Sequence, residues 1–487
     1  MIKLIRYSPA YFVLTFCILS CANDEELQTS QDTETTYELV NEAPTISNYS
    51  SYCGGCHGRN LETFIERQWV YGNNVEAISG VIRRGTENGM PGYESTFTAQ
   101  EICDLANYIL RETEGKTLED IRNDRPGLSG VFTSNDLNFQ TEIIATDIGG
   151  SSGQPFGLAQ LPDGDFLVTE RRSRSLFRVT PSGTVTSVSG LPQVVFNENS
   201  QEGMLDVVLD PDFAGTNRIY FSYARPNPDE RYEKSTAVAS AVIAGNVLSQ
   251  VEEIFIAQPY TEASGHYGSR LQFDRAGFLY ITVGDRNNRE EFPQQFGNSN
   301  GKIHRIMANG QIPTDNPYYD QGGVNRSIYA IGIRNPQGLT IHPSTGEIWS
   351  GEHGPQGGDE INVIGVGRNY GWPVITYGEE YGGGQIGVGT AQEGMEQPVV
   401  YWTPSIAPCG MTFITSNFYG AWQNDLFVGT LAGNHLRRLV MNGSEVVGQE
   451  VLLEGVGRIR DVHQGSDGFM YILIDAPGRL IRILPVQ

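Results

Sequence analysis

Cationic residues are scarce: 33 Lys and Arg stand against 57 Asp and Glu, a formal net charge of −24. A partner with a phosphate backbone demands a basic surface, so nucleic acid is excluded as a ligand. Cysteine is scarce as well, six in 487 residues, too few for a disulfide scaffold of this size. Histidine numbers only seven, which narrows any search for a base or a metal ligand. Glycine, in contrast, is abundant: 58 residues with no collagen period, the mark of many tight turns and hence many short strands. The 39% hydrophobic and 10% aromatic content is enough for a large packed core, and the length allows two or three domains.

At the N-terminus, Lys3 and Arg6 precede an apolar stretch over residues 10–19. It is too short to span a bilayer, so residues 1–21 read as an export signal. Ile18-Leu19-Ser20-Cys21 resembles a bacterial lipobox. That resemblance implies a lipid on Cys21, anchorage to a membrane, and a place in the bacterial cell envelope facing the periplasm or the cell surface. Residues 22–43, rich in acidic and small polar side chains, read as a flexible acidic linker.

Cys53-Gly54-Gly55-Cys56-His57 is the C-x-x-C-H arrangement that attaches a c-type haem. Two thioethers hold the porphyrin, and the adjacent imidazole of His57 becomes an axial iron ligand. A zinc site would need two further ligands at comparable spacing, and His57 is the only His before His266. Met90, the only Met between Met1 and Met204, sits in a Gly-Met-Pro-Gly loop and is the candidate sixth ligand; plain packing is the alternative. Thr98 followed by Glu101 predicts a capping box, with Ile102, Leu105, Ala106 and Ile109 on one face of the helix it opens. Cys103, in that helix, reads as a packing residue. Residues 44–113 resemble a class I cytochrome c domain, and residues 114–144 read as an interdomain linker.

From residue 145 a unit recurs: a turn with Asp or Ser and Gly, then a β-rich run. It occurs before Phe166, Ile219, Leu279, Ile348 and Met470, and more weakly before Leu426. Six copies at variable spacing predict a six-bladed β-propeller over residues 145–487, with a β-sandwich pair as the structural rival. The fold class expected is therefore mainly β, a propeller preceded by a small all-α domain.

Within the propeller the segments 200–206 (SQEGMLD), 265–271 (GHYGSRL), 332–338 (GIRNPQG), 352–362 (EHGPQGGDEIN), 369–373 (NYGWP), 405–408 (SIAP) and 458–461 (RIRD) together resemble the soluble sugar dehydrogenases that use pyrroloquinoline quinone (PQQ), the glucose/sorbosone and aldose sugar dehydrogenases. The resemblance implies His266 as general base, Asp285 as its acidic partner and Arg334 as the group that polarises the quinone oxygen. It implies Gln201, Asn335, Ser405, Arg458 and Arg460 as cofactor or substrate contacts. It further implies calcium on the carbonyls of Gly354 and Pro355, and a second, structural calcium on Glu360 and the Tyr370 carbonyl, with Glu380 a further candidate. One departure stands out: Ala432 falls where glucose-oxidising members place a PQQ-binding Lys, and Asn434 or His435 are candidate substitutes. His304, His342, His353, His435 and His463 otherwise read as structural, and Cys409 as packing.

The activity so implied is oxidation of an aldose to its lactone, with electrons passing within one chain to the haem and then to an external acceptor, a cytochrome or another respiratory-chain component. Two alternatives stay open: a non-enzymatic propeller that binds a protein or glycan, or the same chemistry on a non-sugar polyol or a sorbosone-like aldehyde.

Overall fold

The computed structural model describes residues 37, 39–53, 57, 61, 64–65, 69, 71–86, 90–117, 120, 127–198 and 200–486. The signal, Cys21, most of the 22–43 linker and Cys56 lie outside them. The chain divides into two compact units, Met1–Arg125 with Glu379–Gln385, and Pro126–Gly378 with Ile386–Gln487.

The N-terminal unit is helical. Helix α1 (Glu42–Asn48) runs on into a π-helical turn over Tyr49–Cys53. Helix α2 (Val75–Arg84) opens on Asn74, whose side chain accepts from Ala77 N at 2.9 Å. Helix α3 (Ala99–Thr113) opens on the Thr98/Glu101 capping box that the sequence predicts, and its face of Ile102, Leu105, Ala106 and Ile109 is buried against Tyr49, Ile78 and Ile82. Two readings change here. Helix α1 begins inside the 22–43 linker, because buried Asp104 accepts Val40 N and Asn41 N at 3.2 Å each and ties that segment down. Cys103 is disulfide-bonded rather than a plain packing thiol; a small buried helix residue looks the same in sequence whether or not it is bridged.

Among the described residues, the second unit is built from twenty-five strands. Strands β1 (Val131–Thr133) and β2 (Asn138–Ala145) come first. Blade 1 is β3–β6 (Pro155–Gln160, Phe166–Glu170, Ser175–Val179, Val185–Val188) and blade 2 is β7–β10 (Met204–Leu209, Arg218–Pro226, Lys234–Ala244, Val247–Ile256). Blade 3 is β11–β14 (Leu271–Phe273, Phe278–Val283, Lys302–Met307, Ile328–Ile331), and blade 4 is β15–β18 (Pro336–Ile341, Ile348–Glu352, Asp359–Ile364, Val400–Trp402). Blade 5 is β19–β22 (Pro408–Phe413, Leu426–Thr430, Leu436–Asn442, Glu445–Leu452). Blade 6 joins β23 (Ile459–Gln464), β24 (Met470–Ile474) and β25 (Arg479–Pro485) to β2 and β1.

Each of the six recurring turns connects the first and second strand of one blade. The first strands form a closed cycle, β3 against β7, β7 against β11, β11 against β15, β15 against β19, β19 against β23, and β23 against β3. That cycle makes the fold a six-bladed propeller and disposes of the sandwich. Closure comes from β2, which pairs antiparallel with β25 from Phe139↔Pro485 to Ala145↔Leu480. The 114–144 linker reading is corrected accordingly, since β1 and nearly all of β2 lie within it. A strand whose partner is 340 residues away leaves no local sign of its pairing.

Inside the ring, Arg270 ties the first strands together. Its Nη1 lies 3.0 Å from Asp461 Oδ1 and 3.3 Å from Asp206 Oδ1, while Nε and Nη2 donate to Gln337 O and Arg460 O at 2.7 Å each. Asp461 Oδ2 accepts Leu158 N at 3.0 Å. Blade 5 reaches the same point by giving way: a Cβ on Gly410 would stand 1.8 Å from Asp461 Oδ1. Two buried carboxylates thus share one guanidinium, and burial, with the neighbouring charge of Asp206, pushes Asp461 up to about 7 against the pull of Arg270.

Removing one partner of such a buried set costs about 3–5 kcal/mol, so Arg270→Met lowers the denaturant midpoint by that equivalent. Because folding raises the Asp461 pKa, the native state holds more protons than the unfolded chain between about pH 4 and 7, and this contribution to stability fades as pH rises through that window. Asp461→Asn flattens the corresponding slope of melting temperature against pH; an unchanged slope places the titration elsewhere.

Candidate active site

The sequence segments singled out above gather at one rim for a topological reason. The first two strands of each blade are antiparallel, so the residue before the first strand meets the residue after the second. Gln201, His266, Arg334, Ser405 and Arg458 lie just ahead of β7, β11, β15, β19 and β23; Arg171, Asp285, His353, Leu431 and Asp475 lie just behind β4, β12, β16, β20 and β24.

His266 has a left-handed backbone, φ 53°, an uncommon state for a residue with a Cβ. Its N–H donates to Gln201 Oε1 at 2.9 Å, and Gly268 N donates to Asn335 Oδ1 at 3.2 Å. The ring Nδ1 is 2.6 Å from Asp285 Oδ1. Asp285 also accepts Asn287 N at 2.9 Å and Trp372 Nε1 at 2.8 Å. Burial works against its charge, yet His266, Arg334 and Trp372 together hold Asp285 below the usual carboxylate value. Burial and then the charge of Arg334 push His266 down, against the pull of Asp285. The imidazole is therefore neutral at pH 7, with Nδ1 engaged and Nε2 its remaining nitrogen. Such a group can take a proton.

Arg334 faces the same space. Its Nη1 donates to His353 O at 3.0 Å and to Gly354 O at 2.5 Å, and its guanidinium lies 5.4 Å from the Trp372 ring centre. Gly354 is confined: a Cβ there would stand 2.2 Å from Gly357 O. Its N–H donates to Asp359 Oδ1 at 2.9 Å, and Asp359 Oδ2 accepts Ser405 Oγ, Ile406 N and Ala407 N at 2.7–2.8 Å. Gln201, Asn335 and Ser405, expected to touch cofactor or substrate, thus spend one polar atom each on holding the rim loops.

Arg458 and Arg460 flank buried Asp475, with N···O distances of 3.7 and 3.3 Å. Arg460 lies 5.3 Å over the Phe156 ring. A third guanidinium, Arg171, was not evident in the sequence. Burial and the charges of Arg460 and Arg458 bring it down to about 10, and it donates to Ser200 O and Gln154 Oε1. His353, read from the sequence as structural, lies between the two groups: its Nε2 is 2.9 Å from Pro408 O, and burial followed by the charges of Arg460, Arg334 and His266 depresses it strongly. The base and the arginine cluster therefore stand at the same rim, each within electrostatic reach of His353. Cys409 is fully buried, 3.6 Å from Arg460 Nη1. Ala432 is buried with its N–H on Ile406 O, and His435 is buried with Nδ1 2.9 Å from Gly433 O.

Glu352 and Glu360 stand directly opposite each other on β16 and β17, an unfavourable register for like charges. With Tyr370, Trp372 and Thr376 they line a pocket of about 10 Å³, room for roughly one water-sized sphere. Burial and the charge of Glu360 raise Glu352 well above its usual value, and burial pushes Glu360 up to about 7. Glu380 falls in the segment grouped with the N-terminal unit.

In that N-terminal unit, Cys53 is buried at the end of the π-helical turn and His57 stacks on Phe64 with ring centres 4.5 Å apart. Met90 packs half-buried against the same core; its N–H donates to Thr86 Oγ1 at 3.2 Å and its carbonyl accepts Thr86 N at 2.8 Å.

A closed six-bladed ring carrying a His–Asp pair and an arginine cluster at one rim, preceded in the chain by a small helical domain with a C-x-x-C-H motif, defines a class: a propeller oxidoreductase with a cytochrome domain. The chain belongs to the glucose/sorbosone dehydrogenase family, which matches residues 152–482. Residues 46–109 match the family described as cytochrome C oxidase, cbb3-type, subunit III. The chain is 39% identical to the aldose sugar dehydrogenase YliI of Escherichia coli over 68% of its own length and 90% of that protein. It is 30% identical to quinoprotein glucose dehydrogenase B of Acinetobacter calcoaceticus over 49% of its own length and 53% of that protein. The apo crystal structure of the E. coli aldose sugar dehydrogenase superposes with a TM-score of 0.67 at 36% identity, covering 72% of this chain and all of that one. The chain is accordingly a sugar dehydrogenase with a cytochrome c domain.

Trp372, absent from the sequence-derived site although it lies in the NYGWP segment, holds one oxygen of a buried carboxylate. Trp372→Phe leaves that oxygen unpaired and costs about 1–3 kcal/mol in denaturant unfolding; full retention of stability shows that the bond contributes nothing.

Proposed function

We propose that the protein oxidises an aldose to its lactone with PQQ and calcium, and passes the electrons to a haem c carried in the same chain. The observation that carries this reading is the placement at one rim of His266–Asp285, Arg334 and the Arg171/Arg458/Arg460 cluster, with His353 between them. Three guanidinium groups suit a flat tricarboxylate, since their forks pair with carboxylates. When bound, the quinone supplies a two-electron hydride acceptor, and the haem a one-electron carrier.

The chain's own residues supply the rest. His266 Nε2 takes the proton from the sugar hydroxyl, Asp285 keeps Nδ1 protonated and stabilises the imidazolium, and Arg334 presents positive charge where an oxygen gains electron density. Cys53, Cys56 and His57 would hold the haem, and Met90 would be its further iron ligand, in keeping with the C-x-x-C-H spacing and the packing of Met90 and His57 within one core. Calcium fits Glu360 and the Tyr370 carbonyl: two buried facing carboxylates need a cation more than they need each other. At the other expected position, Gly354 and Pro355, the Gly354 oxygen already accepts Arg334 Nη1, so the calcium reading rests on Glu360 and Tyr370. A lipid on Cys21 would anchor the protein in the cell envelope, where it would hand electrons to an external acceptor.

The test is stopped-flow mixing of the full-length protein, loaded with PQQ and calcium, with an aldose. Haem reduction proceeds at a rate independent of protein concentration and disappears in His266→Ala; a rate that climbs with protein concentration refutes transfer within one chain. Because His266 must be neutral, kcat/KM falls as pH drops through a value below that of ordinary imidazole. In a separate measurement, millimolar calcium raises the melting temperature of the wild type but not of Glu360→Gln; equal shifts in both remove Glu360 from the metal site.

A further inference from the structure

Asp285 orients the imidazole of His266 but does not account for the left-handed backbone beneath it. The residue next to Asp285 does. Arg286 is 2% exposed, and its guanidinium forks onto two backbone oxygens, Nη1 donating to Gly265 O and Nη2 to Ala263 O. The same group lies 3.5 Å from the centre of the Tyr267 ring. One side chain therefore grips the chain three residues before His266, one before it and one after it. Arg286 and Asn287 are themselves left-handed, φ 54° and 57°, and a Cβ on Gly265 would stand 2.8 Å from Asn287 Nδ2. Two strained segments brace each other, and residues in such conformations persist only where their surroundings over-determine them.

Behind Tyr267 the arrangement is anchored again. Glu202, wholly buried, pairs with Lys234 at 3.0 Å, and its charge reaches both Tyr267 and Arg286. An arginine is the side chain that suits this place: two carbonyls about a turn require a planar fork, and an aromatic face accepts a weakly hydrated cation.

We propose that Arg286 is a positioning residue that holds His266 in its left-handed conformation, with Asp285 fixing the ring and Arg286 fixing the backbone from the same dipeptide. This inference rests on the reading of His266 as the base. Misplacing a reacting group by about 1 Å costs about 10²-fold in rate, and that is the loss expected in kcat for Arg286→Met, with cofactor affinity unchanged. The pH profile moves too. His266 is faced by the charges of Asp285, Arg334 and Arg286, so removing Arg286 shifts the acid limb of kcat/KM to higher pH. Arg286→Lys keeps a cation but cannot fork; it restores the acid limb and leaves kcat low.

The assay uses the full-length holoenzyme with an artificial electron acceptor, and His266→Ala as control. An Arg286→Lys protein with wild-type kcat overturns the clamp, as does Arg286→Met with wild-type kcat and pH profile. Should Arg286→Met fail to fold, Arg286→Lys decides alone. A sugar-oxidising His266→Ala instead overturns the assignment of the base, an outcome that Arg286 variants cannot mimic.

Discussion

The interaction on which this propeller depends is the hold of one buried guanidinium on the first strands of the ring. Arg270 contacts side chains or carbonyls from blades 2, 4 and 6, and through Asp461 it reaches Leu158 of blade 1. Blades of a propeller are otherwise alike, each a four-stranded sheet that buries its faces against its neighbours, and apolar packing is non-directional. A charged tie adds what packing lacks, a fixed geometry at the place where all six meet. Such a set stabilises little relative to an apolar core, because desolvating three charges is costly. What it confers is registry, and the active rim lies next to it: Arg270 Nη2 donates to the carbonyl of Arg460, a member of the rim's arginine cluster.

That proximity explains why so many polar side chains around the site are occupied. Gln201, Asn335 and Ser405 hold rim loops, Asp359 gathers four N–H or O–H donors from Gly354 and from Ser405, Ile406 and Ala407, and Asp285 and Arg286 hold His266 from two directions. A neutral imidazole, a fixed guanidinium and an arginine cluster are expensive to assemble at one rim. The rim spends backbone hydrogen bonds rather than apolar packing to keep them apart and aimed.

The N-terminal unit uses ordinary helix chemistry instead. A capping box starts α3, Asn74 starts α2, and aromatic packing joins Tyr49 to Phe64 and Tyr108, with His57 stacked on Phe64. A sugar dehydrogenase propeller and a cytochrome c domain, unrelated in architecture, are joined in one chain, and a covalent tether raises the effective concentration of one for the other.

Much of this was legible without coordinates, and the reason is locality. The C-x-x-C-H motif, the Thr98/Glu101 capping box and the six Asp/Gly turns are each decided within a few residues, so their chemistry is written in adjacent letters. The ordered segments around His266, Arg334 and Arg458 likewise announced the family. What only tertiary structure decided involves partners far apart in the chain. The β2–β25 closure, the Arg270 tie, the approach of Arg171 to Arg458 and Arg460, and the facing of Glu352 and Glu360 all depend on ring geometry. So does the role of Arg286, whose neighbours in sequence say nothing of the two carbonyls it grips. Hydrogen bonds and charge pairs act over a few ångströms, and only the closed ring brings those atoms within that reach.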